Sequence, residues 1–157
     1  MKLKLGLPYS GQNQCGTSIA SIEDIEAILK KINITNYPIL IQAGSTSIPL
    51  VSFMASYFNK NNDLPLSELK GCIGADPLAM LVKAGTLPHD IDSYLNQMAE
   101  LIKWAETNSP NLKTIFVDSH PYHDSGSNGV QEIAFMLQPR SLLYSKAARS
   151  RLDCRSN

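Results

Sequence analysis

Apolar residues recur at every third or fourth position in five stretches of the chain, which is the spacing of a helix with one buried face. The five stretches cover residues 22–32, 49–58, 78–84, 91–105 and 130–137. Typical capping residues mark their ends: Ser21 with Asp24 three residues later, Asp90 or Asp92 before the fourth stretch, and Gly85 after the third. The pattern therefore predicts five helices.

Three short runs of β-branched, aliphatic and aromatic residues lie between these helices and predict strands. The runs cover residues 38–41, 69–73 and 114–117. The order of elements, αβαβααβα, predicts parallel strands joined by helical crossovers. A polar or glycine-bearing segment follows each strand, at residues 42–45, 74–76 and 118–126. Because parallel strands end at one edge of a sheet, we expect these three tips to form a single site face.

The predicted fold class is α/β, and specifically a partial (β/α)8 TIM-barrel segment with parallel strands, roughly half a barrel. A complete barrel takes ~250 residues, and this chain has 157. An open doubly wound sheet is the alternative. We expect the barrel segment at residues 17–138, after an irregular segment at 1–16 in which residues 2–7 could add a strand. Residues 139–157 form a basic tail whose composition predicts disorder.

The composition is that of a soluble globular protein, with 43% hydrophobic and 18% charged residues and a net charge of zero. No apolar run reaches the ~20 residues of a membrane helix, and the N-terminus lacks the apolar core of a signal peptide. Three scattered cysteines without CxxC spacing predict reduced thiols and a cytoplasmic location. The charge distribution before the tail indicates no nucleic-acid surface, so we expect neither nucleic acid nor membrane as a partner.

The strand tips carry the polar side chains that could contact a ligand. These candidate binding residues are Gln42, Ser45, Asp76, His120, Tyr122 and His123. Gly44 and Gly74 stand near predicted helix starts and could admit a phosphate there, although single glycines are weak evidence. We expect the polar groups of the third tip to hydrogen-bond their own loop and to line a cleft.

Two metal-related interpretations of the third tip are less favoured. Asp118, His120, His123 and Asp124 could bind zinc or iron, since imidazole and carboxylate groups suit both metals. A His-x-x-His pair in a proline-containing loop does not hold both rings on one face, so we expect no metal site. The same residues match the DxHxxG cobalamin-binding signature only superficially, because His123 stands at the glycine position.

Four motifs in order give the chain a resemblance to a known family. They are Ile41-Gln42-Ala43-Gly44, Gly71-Cys72-Ile73-Gly74-Ala75-Asp76-Pro77-Leu78, His120-Pro121-Tyr122-His123-Asp124-Ser125-Gly126 and Gln131-Glu132-Ile133-Ala134-Phe135. From about Gly16 to Leu137 the chain resembles methylmalonyl-CoA mutase, and within it the small subunit of the two-chain bacterial enzymes. The resemblance implies a fragment of a (β/α)8 barrel that threads CoA through its axis. It also implies the interconversion of methylmalonyl-CoA and succinyl-CoA, started by adenosylcobalamin.

The chain departs from the catalytic subunit of that family at four functional positions. The threonine and glutamine of its T-x-Q-N-D motif fall on Cys72 and Gly74, its acyl-CoA arginine falls on Lys83, and a catalytic histidine falls on Pro121. The resemblance therefore implies a chain without catalytic residues, in which Lys83 joins the six tip residues as a substrate-binding candidate. It further implies a heterodimer whose large catalytic subunit binds the adenosylcobalamin.

Two other functions stay open. The chain could be a stand-alone module that binds a CoA thioester or another phosphate ligand at the same loop face. It could also be a small hydrolase with His123 as the base, although no nucleophile is visible beside that residue.

Overall fold

A computed structural model describes residues 18–60 and 64–137, together with residues 141 and 145. The predicted N-terminal segment and, apart from residues 141 and 145, the predicted tail lie outside the described residues. The described part contains a three-stranded sheet in the order β1-β2-β3, and both strand pairs are parallel, as predicted. The strands are β1 (Ile39–Gln42), β2 (Gly71–Ala75) and β3 (Leu112–Ile115).

Helices connect and flank the strands. They are α1 (Ile22–Leu29), α2 (Ser47–Lys60), α3 (Pro77–Ala84), α4 (Ile91–Asn108), α5 (His120–Asp124) and α6, which covers residues 129–137. Short 3-10 turns at Gly44–Thr46 and Leu66–Glu68 precede α2 and β2. Among the described residues, no helix has the length and apolar character needed to cross a membrane.

The predicted capping residues mark the starts of α1 and α4 and the end of α3, whereas α1 ends at Leu29, three residues before its predicted end. At α1 the Ser21 N–H donates to the Asp24 carboxylate at 3.1 Å. At α4 it is the first of the two candidate aspartates that caps, because Asp90 Oδ1 accepts the N–H of Ser93 at 2.8 Å. Helix α3 stops at Gly85, whose φ of +70° is a left-handed conformation that a Cβ atom would strain.

The main core lies on one face of the sheet, under α1, α2 and part of α4. Phe58 and Met54 of α2 are almost completely buried together with Ile73 of β2. A smaller cluster joins Leu95 and Met98 of α4 to Ile115 at the end of β3. Burial of each such side chain stabilises the fold by ~1.5–3 kcal/mol, so this face holds the sheet together.

No described helix covers the opposite face of β1. Leu40 points away from its neighbours Ile39 and Ile41, as alternation in a strand requires, and it is 72% exposed. In the sheet register Leu40 lies beside Cys72, which lies beside Lys113. A doubly wound sheet has helices on both faces. Within the described residues the cover is one-sided, which is consistent with a segment of a (β/α) barrel.

All three strands are displaced from their predicted positions, β1 by one residue and the other two by two residues. Strand β2 begins two residues late, because Leu69 is buried in the core and its N–H bonds back to Leu66 O at 3.1 Å instead of joining the ladder. Strand β3 begins and ends two residues early, because the ladder pairs Leu112 with Gly71 and stops at Ile115. Apolar content locates a strand only approximately, since the neighbouring strand decides which residues pair.

The segment at residues 118–126, predicted to be a loop, contains the short helix α5. Pro121 lies in its first turn, where a proline has the right φ angle and no needed N–H. Asn128 and Gln131 then cap α6 reciprocally: each backbone N–H donates to the other's side-chain oxygen, at 2.9 and 3.0 Å. The prediction of a helix after Gly126 is confirmed, but its apolar residues Val130 and Ile133 are exposed.

Candidate functional site

A cleft of about 790 Å³ lies at the carboxyl ends of the three strands. The turn after β1, the first turns of α3 and the short helix α5 form its walls. Five of the seven sequence-predicted binding residues line it, namely Gln42, Ser45, Asp76, Lys83 and His120. The structure thus brings the three strand tips together at one edge, while Tyr122 and His123 lie outside the lining of this cleft.

Asp76 organises the cleft from below. Its side chain is buried, with 3% of the residue exposed. Oδ1 accepts the N–H groups of Leu78 and Ala79 at 3.1 and 3.0 Å, which caps α3, and Oδ2 accepts the N–H of Asp118 at 3.0 Å. Three backbone donors therefore hold this carboxylate, and they leave it little capacity for a ligand.

Asp118 is a central residue of the cleft, although the sequence singles it out only within a possible metal site, a superficial cobalamin signature and the general expectation that the third tip lines a cleft. Its Oδ2 accepts Gln42 Nε2 at 2.6 Å, and its Oδ1 accepts the N–H of His120 at 3.0 Å. Together with the bond from its own N–H to Asp76, these contacts join the tips of all three strands. The position of Asp118 directly after a predicted strand indicates that it lies near the site. Its partners are not predictable from local sequence, because Gln42 and Asp76 lie 76 and 42 residues away along the chain.

Three other polar side chains stand exposed around the cleft: Ser45, Lys83 and His120. His120 Nδ1 lies 3.3 Å from Asp124 Oδ2, one helical turn further along α5. Within the described residues, Lys83 forms no hydrogen bond or ion pair, so its ammonium group is available to a ligand. The cleft combines this cation with amide and hydroxyl groups, which suits binding.

Tyr122 faces α6 and not the cleft, in contrast to the sequence prediction of a tip residue open to a ligand. Its ring stacks on Phe135 with centroids 5.4 Å apart and planes inclined by 26°. Burial raises the pKa of the Tyr122 hydroxyl above its usual value, and the carboxylates of Asp76 and Asp118 raise it further. The residue therefore fastens α6 to α5.

His123 also turns towards α6. Its Nδ1 lies 2.5 Å from Glu132 Oε1, and the hydrogen bond and charge of Glu132 raise the pKa of the imidazole above its ordinary value. Side chains on a helix point in different directions, so the residues of α5 cannot all face the cleft. His120 faces the cleft, and His123, on the same short helix, faces α6. No hydroxyl or thiol of the described residues hydrogen-bonds His123, so the hydrolase alternative gains no nucleophile here.

Gly74, Cys72 and Pro121 lie in closely packed surroundings near the cleft. A Cβ atom built on Gly74 would lie 2.7 Å from the backbone N and 2.9 Å from the Cβ of Phe116. The Cys72 thiol donates to Ile115 O at 3.4 Å, and burial raises its pKa. Pro121 is buried in the first turn of α5. None of these residues extends a reactive group into the cleft.

Across residues 18–60 and 64–137, no three His, Cys, Asp or Glu side chains cluster closely enough to hold a metal ion. His120 and His123 pair with different carboxylates, Asp124 and Glu132.

Comparison with known sequences gives one family. The sequence profile of the family described as "Methylmalonyl-CoA mutase" matches residues 10–154. Methylmalonyl-CoA mutase from Escherichia coli is 24% identical over 137 residues, which are 87% of this chain and 19% of that protein. Methylmalonyl-CoA mutase from Cereibacter sphaeroides is 23% identical over 125 residues, 79% of this chain and 17% of that protein.

One relative is named as a subunit. The methylmalonyl-CoA mutase small subunit from Streptomyces virginiae is 23% identical over 122 residues, 78% of this chain and 19% of that protein. The chain thus spans about a fifth of the length of the curated relatives it matches.

Proposed function

Since this chain belongs to the methylmalonyl-CoA mutase family, we propose that it is part of the small, non-catalytic subunit of a two-chain mutase. A large partner subunit carries the isomerisation of methylmalonyl-CoA and succinyl-CoA, and residues 17–138 supply a barrel segment that packs beside it. The name of the Streptomyces virginiae relative supports this assignment. The scattered cysteines support a cytoplasmic location for the pair.

The environment of Gly74 is the observation that supports the proposal most strongly. By resemblance, the catalytic subunit of this family has a glutamine at this position. In this chain any side chain at position 74 would meet the backbone N of Phe116 at 2.7 Å, inside the contact distance of the two atoms. The tip of β2 therefore has no room for a side chain that could reach a substrate.

The other three departures from the catalytic subunit also support a non-catalytic role. Pro121 has no group that could transfer a proton where the catalytic subunit has a histidine. Cys72 is held by its hydrogen bond to Ile115 O, and Lys83 lacks the planar fork with which an arginine makes bidentate contacts. Four such changes at one cleft favour a supporting subunit over an active one.

The contacts of the third tip do not fit the adenosylcobalamin on which the family depends. A histidine ligand of cobalt needs a free ring nitrogen on a fixed side chain, with its other nitrogen held by a hydrogen bond. The Nδ1 of His120 lies 3.3 Å from Asp124 Oδ2 and its Nε2 has no partner among the described residues, but the side chain is exposed and is not held in one position. The Asp118 carboxylate does not hold the ring, because it is occupied by Gln42 and the backbone N–H of His120. We therefore assign the cofactor to the partner subunit and derive no step through it here.

Co-purification from the native cell tests the proposal. The tagged full-length chain should bring down a larger chain that has the visible absorbance of cobalamin, and the pair should isomerise methylmalonyl-CoA. The tagged chain separated from its partner should show no turnover with added adenosylcobalamin. Turnover by the separated chain would contradict a non-catalytic role.

A second function is the binding of a CoA thioester in the cleft of about 790 Å³. It is favoured by the exposed Ser45 and by Lys83, which has no ion-pair partner among the described residues. Calorimetric titration with CoA should detect binding, and Lys83→Ala should weaken it by about tenfold through the loss of one charged contact. Lys60→Ala is the matched control, because Lys60 pairs with Glu26 away from the cleft. Equal losses of CoA affinity in both variants would show that CoA does not bind in the cleft.

A further inference from the structure

A hydrogen bond of 2.6 Å joins Gln42 Nε2 to Asp118 Oδ2 at the wall of the cleft. An ionised carboxylate can only accept hydrogen bonds, whereas a glutamine amide has a donor end and an acceptor end. Asp118 thus decides which end of the Gln42 amide is turned towards it. It holds the NH2 group, and within the described residues nothing donates to the carbonyl oxygen Oε1 that remains.

Asp118 is itself fixed by the scaffold. Its other carboxylate oxygen accepts the N–H of His120 at 3.0 Å, and its own N–H donates to the buried Asp76 at 3.0 Å. Because Asp76 also caps α3, the backbone of Asp118 is anchored to that helix, and its carboxylate cannot rotate without breaking the hydrogen bonds from the His120 N–H and from Gln42. The orientation of the Gln42 amide is therefore part of the architecture of the cleft.

We propose that Asp118 is a positioning residue that directs the carbonyl oxygen of Gln42 to a ligand in the cleft, where it accepts a hydrogen bond from an N–H donor. This inference rests on the proposed binding of a CoA thioester. The matching ligand chemistry is an uncharged chain with secondary amides, such as the pantetheine arm of that thioester. A phosphate offers mainly acceptors and does not suit a carbonyl oxygen.

The network predicts that the side-chain amide of Gln42 reverses its orientation in the variant Asp118→Asn. The asparagine Oδ1 keeps the N–H of His120 as its donor, because the opposite orientation would place two donors against each other. Its NH2 group then faces Gln42, which must turn its own carbonyl oxygen towards position 118 and its NH2 group towards the ligand. The cleft wall changes from an acceptor into a donor while the size of the side chain stays the same.

The full-length chain is titrated calorimetrically with pantetheine, which has the amides alone, and with ADP, which has the phosphates alone. We expect D118N to weaken pantetheine binding by about tenfold and to leave ADP binding unchanged. Gln42→Glu alone should also weaken pantetheine binding, because two carboxylates then face each other. The double variant Q42E/D118N should regain binding, since the carboxylate of position 42 accepts from asparagine and presents its second oxygen to the ligand.

A spectroscopic readout follows the orientation separately. In 15N NMR spectra of the labelled chain, the side-chain amide signals of Gln42 should shift strongly in D118N and little in Asp124→Asn, the matched control at the cleft wall. Wild-type pantetheine affinity in D118N, or a double variant no better than D118N, would overturn the proposal. If the wild-type chain binds neither CoA nor pantetheine, the ligand-binding function itself fails, and an unshifted Gln42 signal would show that the orientation is wrong as well.

Discussion

The buried carboxylate of Asp76 accepts the backbone N–H of Asp118 at 3.0 Å and so ties the tip of β2 to the segment after β3. The other oxygen of the same carboxylate caps α3. One side chain therefore joins a strand end, a helix start and the third wall of the cleft. An interaction that links several elements in this way should affect stability more than an isolated helix cap.

We expect Asp76→Ala to lower the free energy of unfolding by about 2–4 kcal/mol, because a cap and a buried acceptor are lost together. Asp76→Asn should cost less, about 1–2 kcal/mol, since its carbonyl oxygen can still cap α3 while its NH2 group cannot accept from Asp118. Urea denaturation followed by circular dichroism measures both changes. The control is Asp90→Ala, which removes only the cap of α4; an equal cost in D76A and D90A would contradict the linking role.

The His123–Glu132 pair should make the attachment of α6 to α5 depend on pH. Glu132 above all, with a smaller effect from Asp124, raises the pKa of His123 in the folded chain above the unfolded value of about 6.5. The stabilising contribution of the charged pair is therefore complete below about pH 6.5 and is lost as the pH rises through the higher folded pKa. NMR titration of the His123 ring measures this pKa directly.

In Glu132→Gln the pKa of His123 should fall towards its ordinary value, and the hydrogen-exchange protection of α6, corrected for intrinsic rates, should no longer vary with pH in this range. Glu100→Gln is the matched control, since Glu100 pairs with Lys103 on a different helix. A His123 titration that is the same in E132Q and in the wild-type chain would show that the pair does not form in solution.

Gly74→Ala should destabilise the chain by about 1–3 kcal/mol, the usual cost of overpacking, because the added methyl group meets Phe116 at 2.7–2.9 Å. Gly129→Ala is the control: nothing lies within 4 Å of an added Cβ there, and alanine favours the start of α6. Thermal unfolding of both variants distinguishes them. A Gly74→Ala variant as stable as the wild-type chain would mean that the backbone at Phe116, directly after β3, moves away from the added methyl group at little cost.

The exposed Leu40 should promote self-association of the purified chain when the proposed partner subunit is absent. Among the described residues it projects from an edge strand, on a face of the sheet that no described helix covers, and it is 72% exposed. Apolar edge strands favour pairing with other chains. Leu40→Lys should lower the apparent mass measured by light scattering. Tyr37→Lys, at a residue that is 64% exposed outside the strand, is the control, and association that persists equally in both variants would point to a different surface.

The sequence predicted the parallel topology well because the three strands and every described helix except α5 have a local signal. Capping residues such as Ser21, Asp90 and Gly85 depend only on near neighbours, and the structure uses all three. The exact strand positions depend on pairing partners far away in sequence, which explains the shifts of β2 and β3. Leu69 has a strand-like apolar side chain, yet it fills the core beneath a 3-10 turn.

The location of the cleft was predictable from the sequence, but the directions and partners of several of its side chains were not. Gln42 and Ser45 lie at a strand tip and therefore line the cleft, as a parallel sheet requires. Tyr122 and His123 do not, because α5 is a helix, and a loop prediction gave no basis for sorting its side chains by direction. The role of Asp118 arises from contacts with Gln42 and Asp76, and only the assembled sheet brings those residues together.

The approach of Phe116 to Gly74 also limits how this sequence can vary. The nearest atom to an added side chain is the backbone N of Phe116, and Ile115 C follows at 3.0 Å. A smaller residue at position 116 would remove its Cβ contact but not these backbone atoms. Point substitutions alone therefore cannot return a polar side chain to position 74; β3 would have to move first. Among descendants of this sequence, position 74 is therefore in practice limited to glycine.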